Sequence, residues 1–264
     1  MRDWLRKRLW PHRTIIDLLP TAQLDRLRSS ILESPYLAES DLNEGFTGSY
    51  GFSIFCKIGQ RAKAEKLIPG LKEFLDAVLY PDTNLIFLNP LQIQKGQGVD
   101  AHADKTLVSF LEKPEAEVPF PFRVSVLYLT IPPDIKGGDL VFHRWMGQLK
   151  ISPQDNLLVE FPGWMLHQVT PFQCAEGQFR LSLVMEQYVL NEQEIAAVPD
   201  WAMDTSRSFD DFLQDASGSA ELELDQDVEE GDGDWGSSVE TGVVDPNTAT
   251  DAGGSPRVAP PAMS

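Results

Sequence analysis

Between residues 84 and 188 the sequence reads as a succession of short strands. Apolar, β-branched and aromatic runs recur near 84–94, 99–104, 122–130, 139–144, 147–151, 156–161, 165–171 and 179–188. Turn signals such as Gly137-Gly138 and Pro162-Gly163 separate them. Eight short strands joined by turns suit a pair of packed sheets, the jelly roll. The expected fold class is therefore mainly β with flanking helices, a double-stranded β-helix of the jelly-roll, cupin-like kind.

The helices come first in the chain. Leu24, Leu27 and Ile31 fall at helical spacing, with Thr21 as the expected N-cap and an end near Glu33. A strand is expected over 52–58. A second helix is expected from Pro69 to Leu79, since proline is tolerated in a first turn and Leu71, Phe74, Leu75 and Val78 form a stripe. Both helices are expected on the outer face of the sheet. The segments 34–50 and 105–121 read as loops, and connections that long inside one domain usually bind or cover something.

The chemistry concentrates at Val99-Asp100-Ala101-His102-Ala103-Asp104. On a strand, residues i and i+2 share a face, so His102 and Asp104 can reach one point. Two histidines and a carboxylate with open positions form the facial ligand set of non-haem Fe(II) sites. His167 supplies a second histidine, in an apolar strand-like setting. Arg180 then interrupts the apolar run 179–184. Arginine is almost never buried unpaired, so an inward Arg180 calls for an anion, and a carboxylate matches its forked geometry.

This order of H-x-D, distal His and R-x-S resembles the Fe(II)- and 2-oxoglutarate-dependent dioxygenases, and within them the prolyl-4-hydroxylase-like branch. Phe122-Arg123-Val124-Ser125-Val126-Leu127-Tyr128-Leu129 and Lys136-Gly137-Gly138-Asp139-Leu140 are similar to that branch's strand patterns. The likeness spans roughly residues 14 to 189. It implies catalytic residues His102, Asp104, His167 and Arg180, with the first three holding Fe(II). It implies 2-oxoglutarate as cosubstrate, O₂ at a remaining open position, and ascorbate as an optional further cofactor. Arg180, Ser182 and Tyr128 would bind the cosubstrate. The implied reaction hydroxylates an amino-acid side chain, prolyl among the options, in a peptide, protein or small-molecule substrate. The chain departs from the pattern at Ile93 and Val99, where relatives often carry tyrosines. The collagen-type enzymes use lysine where Arg180 stands, and residues 173–178 look like an extra turn.

Charge divides the chain. The net charge is −18, and residues 205–264 hold 14 acidic residues against 2 arginines, which leaves −6 for the other 204. This balance argues against nucleic acid held by a broad basic surface. The expected organisation is an N-terminal segment 1–13, the dioxygenase domain 14–200 and an acidic disordered tail 201–264. Residues 1–10 could form a short basic helix that Pro11 ends, and Phe209, Phe212 and Leu213 stand out as an apolar group in the tail. Two isolated cysteines make no disulfide framework. With no apolar run long enough to span a bilayer and no signal-peptide core, a cytoplasmic location is expected. Oligomeric state is not readable. Two other readings compete, a catalytically silent cupin-type binding module and a zinc hydrolase. The full ligand set argues against the first, and Arg180 against the second. His143 reads as a strand-end surface residue, and Trp164 either lines the pocket or packs.

Overall fold

A computed structural model describes residues 12–39, 49–111, 115–144 and 147–204. The helix proposed for residues 1–10, the body of the acidic tail and the Phe209 group lie outside them. The strands are β1 Arg13–Ile15, β2 Ala38–Glu39, β3 Ser49–Gly51, β4 Ser53–Lys57, β5 Leu85–Gln94, β6 Val99–His102, β7 Arg123–Thr130, β8 Lys136–Gly137, β9 Leu140–Arg144, β10 Gly147–Ile151, β11 Leu158–Phe161, β12 His167–Val169, β13 Phe172–Gln173, β14 Phe179–Tyr188 and β15 Trp201–Asp204. The helices are α1 Thr21–Leu32, α2 Arg61–Leu67, α3 Leu71–Val78 and α4 Glu192–Ala197.

The strands form a large and a small antiparallel sheet, as the strand succession implied, and β8 pairs separately with β13. The large one runs β1-β11-β7-β14-β5-β3-β2, with β4 pairing β5 and β15. The small one runs β10-β9-β12-β6. At the centre of the large sheet, β14 pairs with β5 along its whole length, from Phe179 opposite Gln94 to Tyr188 opposite Leu85. Side chains alternate across a strand. One face of β14 therefore carries Leu181, Leu183 and Met185 into an apolar layer with Leu127, Leu129 and the helical residues Leu24, Leu27, Ile31 and Phe74. Each large aliphatic or aromatic side chain fully buried there stabilises the fold by about 1.5–3 kcal/mol. The opposite face looks toward the small sheet, where Val124, Val126 and Tyr128 meet Leu140, Phe142 and Phe161.

Four local expectations are corrected. Thr21 is the first helical residue of α1, and Pro20 takes the cap position. The Pro20 carbonyl accepts from the amides of Gln23 and Leu24 at 2.9 and 3.0 Å, and no side chain caps the helix. Helix α3 starts at Leu71 because Gly70 adopts a left-handed φ of 93°, and a Cβ there would meet the Leu27 backbone nitrogen at 2.9 Å. Strand β6 ends at His102, so Asp104 has left the sheet. Finally, Trp201–Asp204 pairs with β4 as β15, and Met203 joins the outer apolar layer. These four residues belong with the sheet and not with the tail. No helix among the described residues is long and apolar enough to cross a membrane, and Cys56 and Cys174 are not joined in a disulfide.

Candidate metal centre and its cavity

His102 ends β6 and His167 opens β12, and the two face each other in register across that strand pair. Their rings lie 4.4 Å apart between centroids. Asp104 follows after one further residue. Its amide donates to the Gly163 carbonyl at 3.0 Å, which fixes the chain where it turns off the sheet. Gly163 in turn donates its amide to the Pro121 carbonyl. A Cβ on Gly163 would sit 2.3 Å from Pro121 Cγ, so this close approach requires glycine. The ligating atoms of His102, Asp104 and His167 all lie within 4.8 Å of one another.

Second contacts aim the rings. His102 Nδ1 lies 2.8 Å from the Asp100 carbonyl, and His167 Nδ1 lies 2.9 Å from the Met165 carbonyl. A carbonyl only accepts, so Nδ1 carries the proton in each ring and Nε2 presents its lone pair. Those Nε2 atoms stand 3.7 and 3.8 Å from the Asp104 carboxylate. Burial pushes the His167 pKa down to about 4 and the Asp104 carboxyl up to about 6. Burial first, then the neighbouring His167, lowers His102 as well. Both imidazoles are thereby kept neutral at physiological pH, the form a metal requires. Asp104 Oδ2 is buried without a hydrogen-bond partner among the described residues. A divalent cation between the three side chains would answer that oxygen and both lone pairs. The donor set, two imidazoles and one carboxylate, fits iron.

The three side chains line one cavity of about 920 Å³ between the sheets, open to one side. Arg180 lines it as well, from the inner face of β14, and is only 2% exposed. Its Nη1 donates to the Gly138 carbonyl at 2.8 Å, and its guanidinium carbon lies 4.8 Å from the Tyr128 ring centre. Its Nε and the Tyr128 hydroxyl are both buried without a hydrogen-bond partner among the described residues. Burial dominates the titration of both groups, lowering Arg180 and raising Tyr128. A buried guanidinium that makes one carbonyl hydrogen bond, with Tyr128 and the charge of Asp139 nearby but no ion pair, can receive an anion. Ser182 shares its face and is held only loosely, with Oγ 3.5 Å from the Leu91 carbonyl. Ile93, directly opposite Arg180 in the register, and Val99 form apolar wall at this end.

His143 stands outside the trio, with Nε2 at 3.1 Å from Gln168 Oε1. Trp164 is 59% exposed and does not line the cavity. Sequence reasoning missed Glu186, which also lines the cavity and is 2% exposed. The signal was available. Glu186 continues the alternate-residue series Arg180, Ser182, Val184, and an acid in an apolar strand is as anomalous as the arginine.

No protein-family model matches the sequence, and neither does any curated protein. Solved structures do match. A prolyl hydroxylase from Trichoplax adhaerens, in complex with a hypoxia inducible factor oxygen degradation domain peptide fragment, is 16% identical with a TM-score of 0.51, over 73% of this chain and 89% of that one. A prolyl-4-hydroxylase from Pseudomonas putida is 18% identical with a TM-score of 0.47, over 70% and 96%. An oxidoreductase of the 2OG-Fe(II) oxygenase family from Burkholderia pseudomallei is 14% identical with a TM-score of 0.48, over 71% and 89%. At such identities the common property is the fold, the double-stranded β-helix.

Proposed function

We propose that this chain is an Fe(II)- and 2-oxoglutarate-dependent dioxygenase that hydroxylates an amino-acid side chain in a peptide, protein or small molecule. One observation carries the reading. A His-Asp-His trio with two neutral, carbonyl-anchored imidazoles and a buried guanidinium that makes no ion pair among the described residues line the same cavity. A hydrolytic metal site has no use for the guanidinium, whereas a dicarboxylate cosubstrate needs both.

In this reading His102, Asp104 and His167 hold iron, whose one-electron and O₂ chemistry, coupled to oxidation of the cosubstrate, is the metal's own. The residues of the chain do the rest. Asp100 and Met165 hold the histidine tautomers through their carbonyls. Arg180 binds the far carboxylate of 2-oxoglutarate, with the Tyr128 hydroxyl and Ser182 as supporting donors. Ile93, Leu91 and Val99 keep water from that end of the cavity. The likeness to a peptide-bound prolyl hydroxylase supports a peptide or protein substrate.

The test is succinate release from 2-oxoglutarate by the Fe(II)-loaded protein, with and without ascorbate. Consumption above the background of a His167→Ala variant is the expected result. A protein that binds 2-oxoglutarate but never consumes it, across a broad peptide panel, is the silent binding module instead.

A further inference from the structure

Arg180 occupies one end of the cavity and Glu186 the other. They lie six residues apart on one face of β14, on the order of 20 Å by the rise of a strand. Each carboxyl oxygen of Glu186 accepts one hydrogen bond from the fold. Thr106 Oγ1 donates to Oε1 at 2.6 Å, and the Tyr188 hydroxyl donates to Oε2. An ionised carboxylate oxygen accepts about two, so one position on each remains. Among the described residues Glu186 forms no ion pair with a cation. A carboxyl this buried with no cation beside it is costly to ionise.

Its surroundings are aromatic and polar in a particular pattern. Phe87 pairs with Glu186 in the register, and Phe55 and Phe110 pack beside Phe87, with centroid separations of 4.8 Å for Phe55–Phe87 and 4.3 Å for Phe55–Phe110. All three rings line the cavity. Asn89, diagonal to Glu186 on β5, is 6% exposed and lines the cavity too, and its side chain makes no hydrogen bond among the described residues. An amide carbonyl, a carboxyl and aromatic faces are the groups that together bind an organic cation. The charges farther out agree. Asp100, Glu115 and Asp204 line the same cavity. Its one further base, Lys105, is tied to the Glu115 carbonyl at 2.6 Å and lies 4.7 Å from the Phe120 ring centre.

We propose that the Glu186 end of the cavity is the primary-substrate subsite and that it takes a positively charged nitrogen, the ammonium or guanidinium of a basic amino-acid side chain. Glu186 and Asn89 contact the cation, and Phe55, Phe87 and Phe110 wall its stem. The identification of this end with substrate rests on the dioxygenase reading, because it assigns the Arg180 end to 2-oxoglutarate. The cation preference itself does not.

The probes are lysine and arginine capped as Nα-acetyl amides, against capped norleucine and citrulline as neutral counterparts. Binding to the full-length, Mn(II)-loaded protein is measured by calorimetry, with and without 2-oxoglutarate. The expected result is at least tenfold tighter binding of the charged member of a pair. Glu186→Gln abolishes that preference while the thermal shift on adding 2-oxoglutarate is retained. Phe87→Leu, which leaves the carboxyl in place, weakens the charged probe severalfold and the neutral one little. Equal binding of charged and neutral probes, binding of neither, or a preference that survives Glu186→Gln overturns the proposal. A wild-type protein that prefers the cation but shows no response to 2-oxoglutarate upholds the cation subsite and sinks the dioxygenase reading.

Discussion

The two faces of β14 follow opposite rules. Outward, Leu181, Leu183 and Met185 pack in an apolar layer with helices α1 and α3, and the buried carboxylate on this face, Glu160, is paired with Arg13. Inward, Arg180, Ser182 and Glu186 line a cavity, and neither Arg180 nor Glu186 forms an ion pair among the described residues, the opposite charge felt by Arg180 being that of Asp139. The outer face gains free energy from every methylene it hides, and the inner face gives some back. One strand can do both because its side chains alternate. The stability of the domain and its chemistry are therefore separable by single substitutions two or three residues apart.

The largest effect should come from the outer face. Leu183→Ala is expected to destabilise the domain by about 2–5 kcal/mol through lost burial and a residual cavity. Urea unfolding measures this. The dissociation constant for 2-oxoglutarate of the folded fraction should stay within about twofold, a range read here as no change by the additivity of distant sites. A large change in that constant would show that the faces are coupled.

Arg180→Ala is the inner-face counterpart. Ligand binding only the native state stabilises it by about 2.7 kcal/mol at a hundredfold excess over its dissociation constant. Most of that stabilisation by 2-oxoglutarate should vanish in Arg180→Ala, while the shift produced by Mn(II) remains. Arg180→Lys should keep part, since lysine supplies the charge without the fork. Equal 2-oxoglutarate shifts in wild type and Arg180→Ala would remove the guanidinium from the site.

A smaller, pH-dependent effect belongs to Glu186. Its folded value is raised from 4.5 to about 8. Its contribution to stability is therefore complete below pH 4.5 and is lost as pH rises toward 8. In metal-depleted protein the thermal midpoint should fall across the upper part of that window, and Glu186→Gln should flatten the fall. On the acid side His167 acts oppositely. Its folded value is lowered to about 4, so its contribution is present above the unfolded 6.5 and is lost as pH drops toward 4. An unchanged alkaline slope in Glu186→Gln would assign the fall to other groups. The smallest effect is expected from the acidic tail, which adds to neither face in sequence terms. Deleting residues 206–264 should move the thermal midpoint by no more than about 2 °C, and a lost cooperative transition would show that the tail packs on the domain.

The sequence disclosed what depends on residue type and alternation. His102, Asp104 and His167 stand out because such side chains are scarce among apolar strands, and Arg180 because charge inside a strand is anomalous. The strands themselves were legible from their turns. Less visible was whatever depends on contacts between distant segments. Helix α2, Arg-Ala-Lys-Ala-Glu-Lys-Leu, buries only Ala64 and has no apolar stripe to betray it. The strand β15 exists because β4 offers it a backbone ladder. Asp104 reaches the two histidines through the Gly163 carbonyl and not by strand periodicity. Glu186 was hidden because its meaning lies in Thr106, Asn89 and Phe87, none of them near it in sequence.

The register pairing of His102 with His167 has a kinetic consequence. Sixty-five residues separate the two, and the guanidinium comes thirteen residues later still. Contacts of such long sequence separation form slowly, after local helices and hairpins. During synthesis a chain that has emerged only as far as Asp104 carries two members of the trio and not the guanidinium. If the proposed function holds, metal captured by this protein would report a finished topology, and iron added to the unfolded chain would find no native cluster of ligands around which to nucleate it.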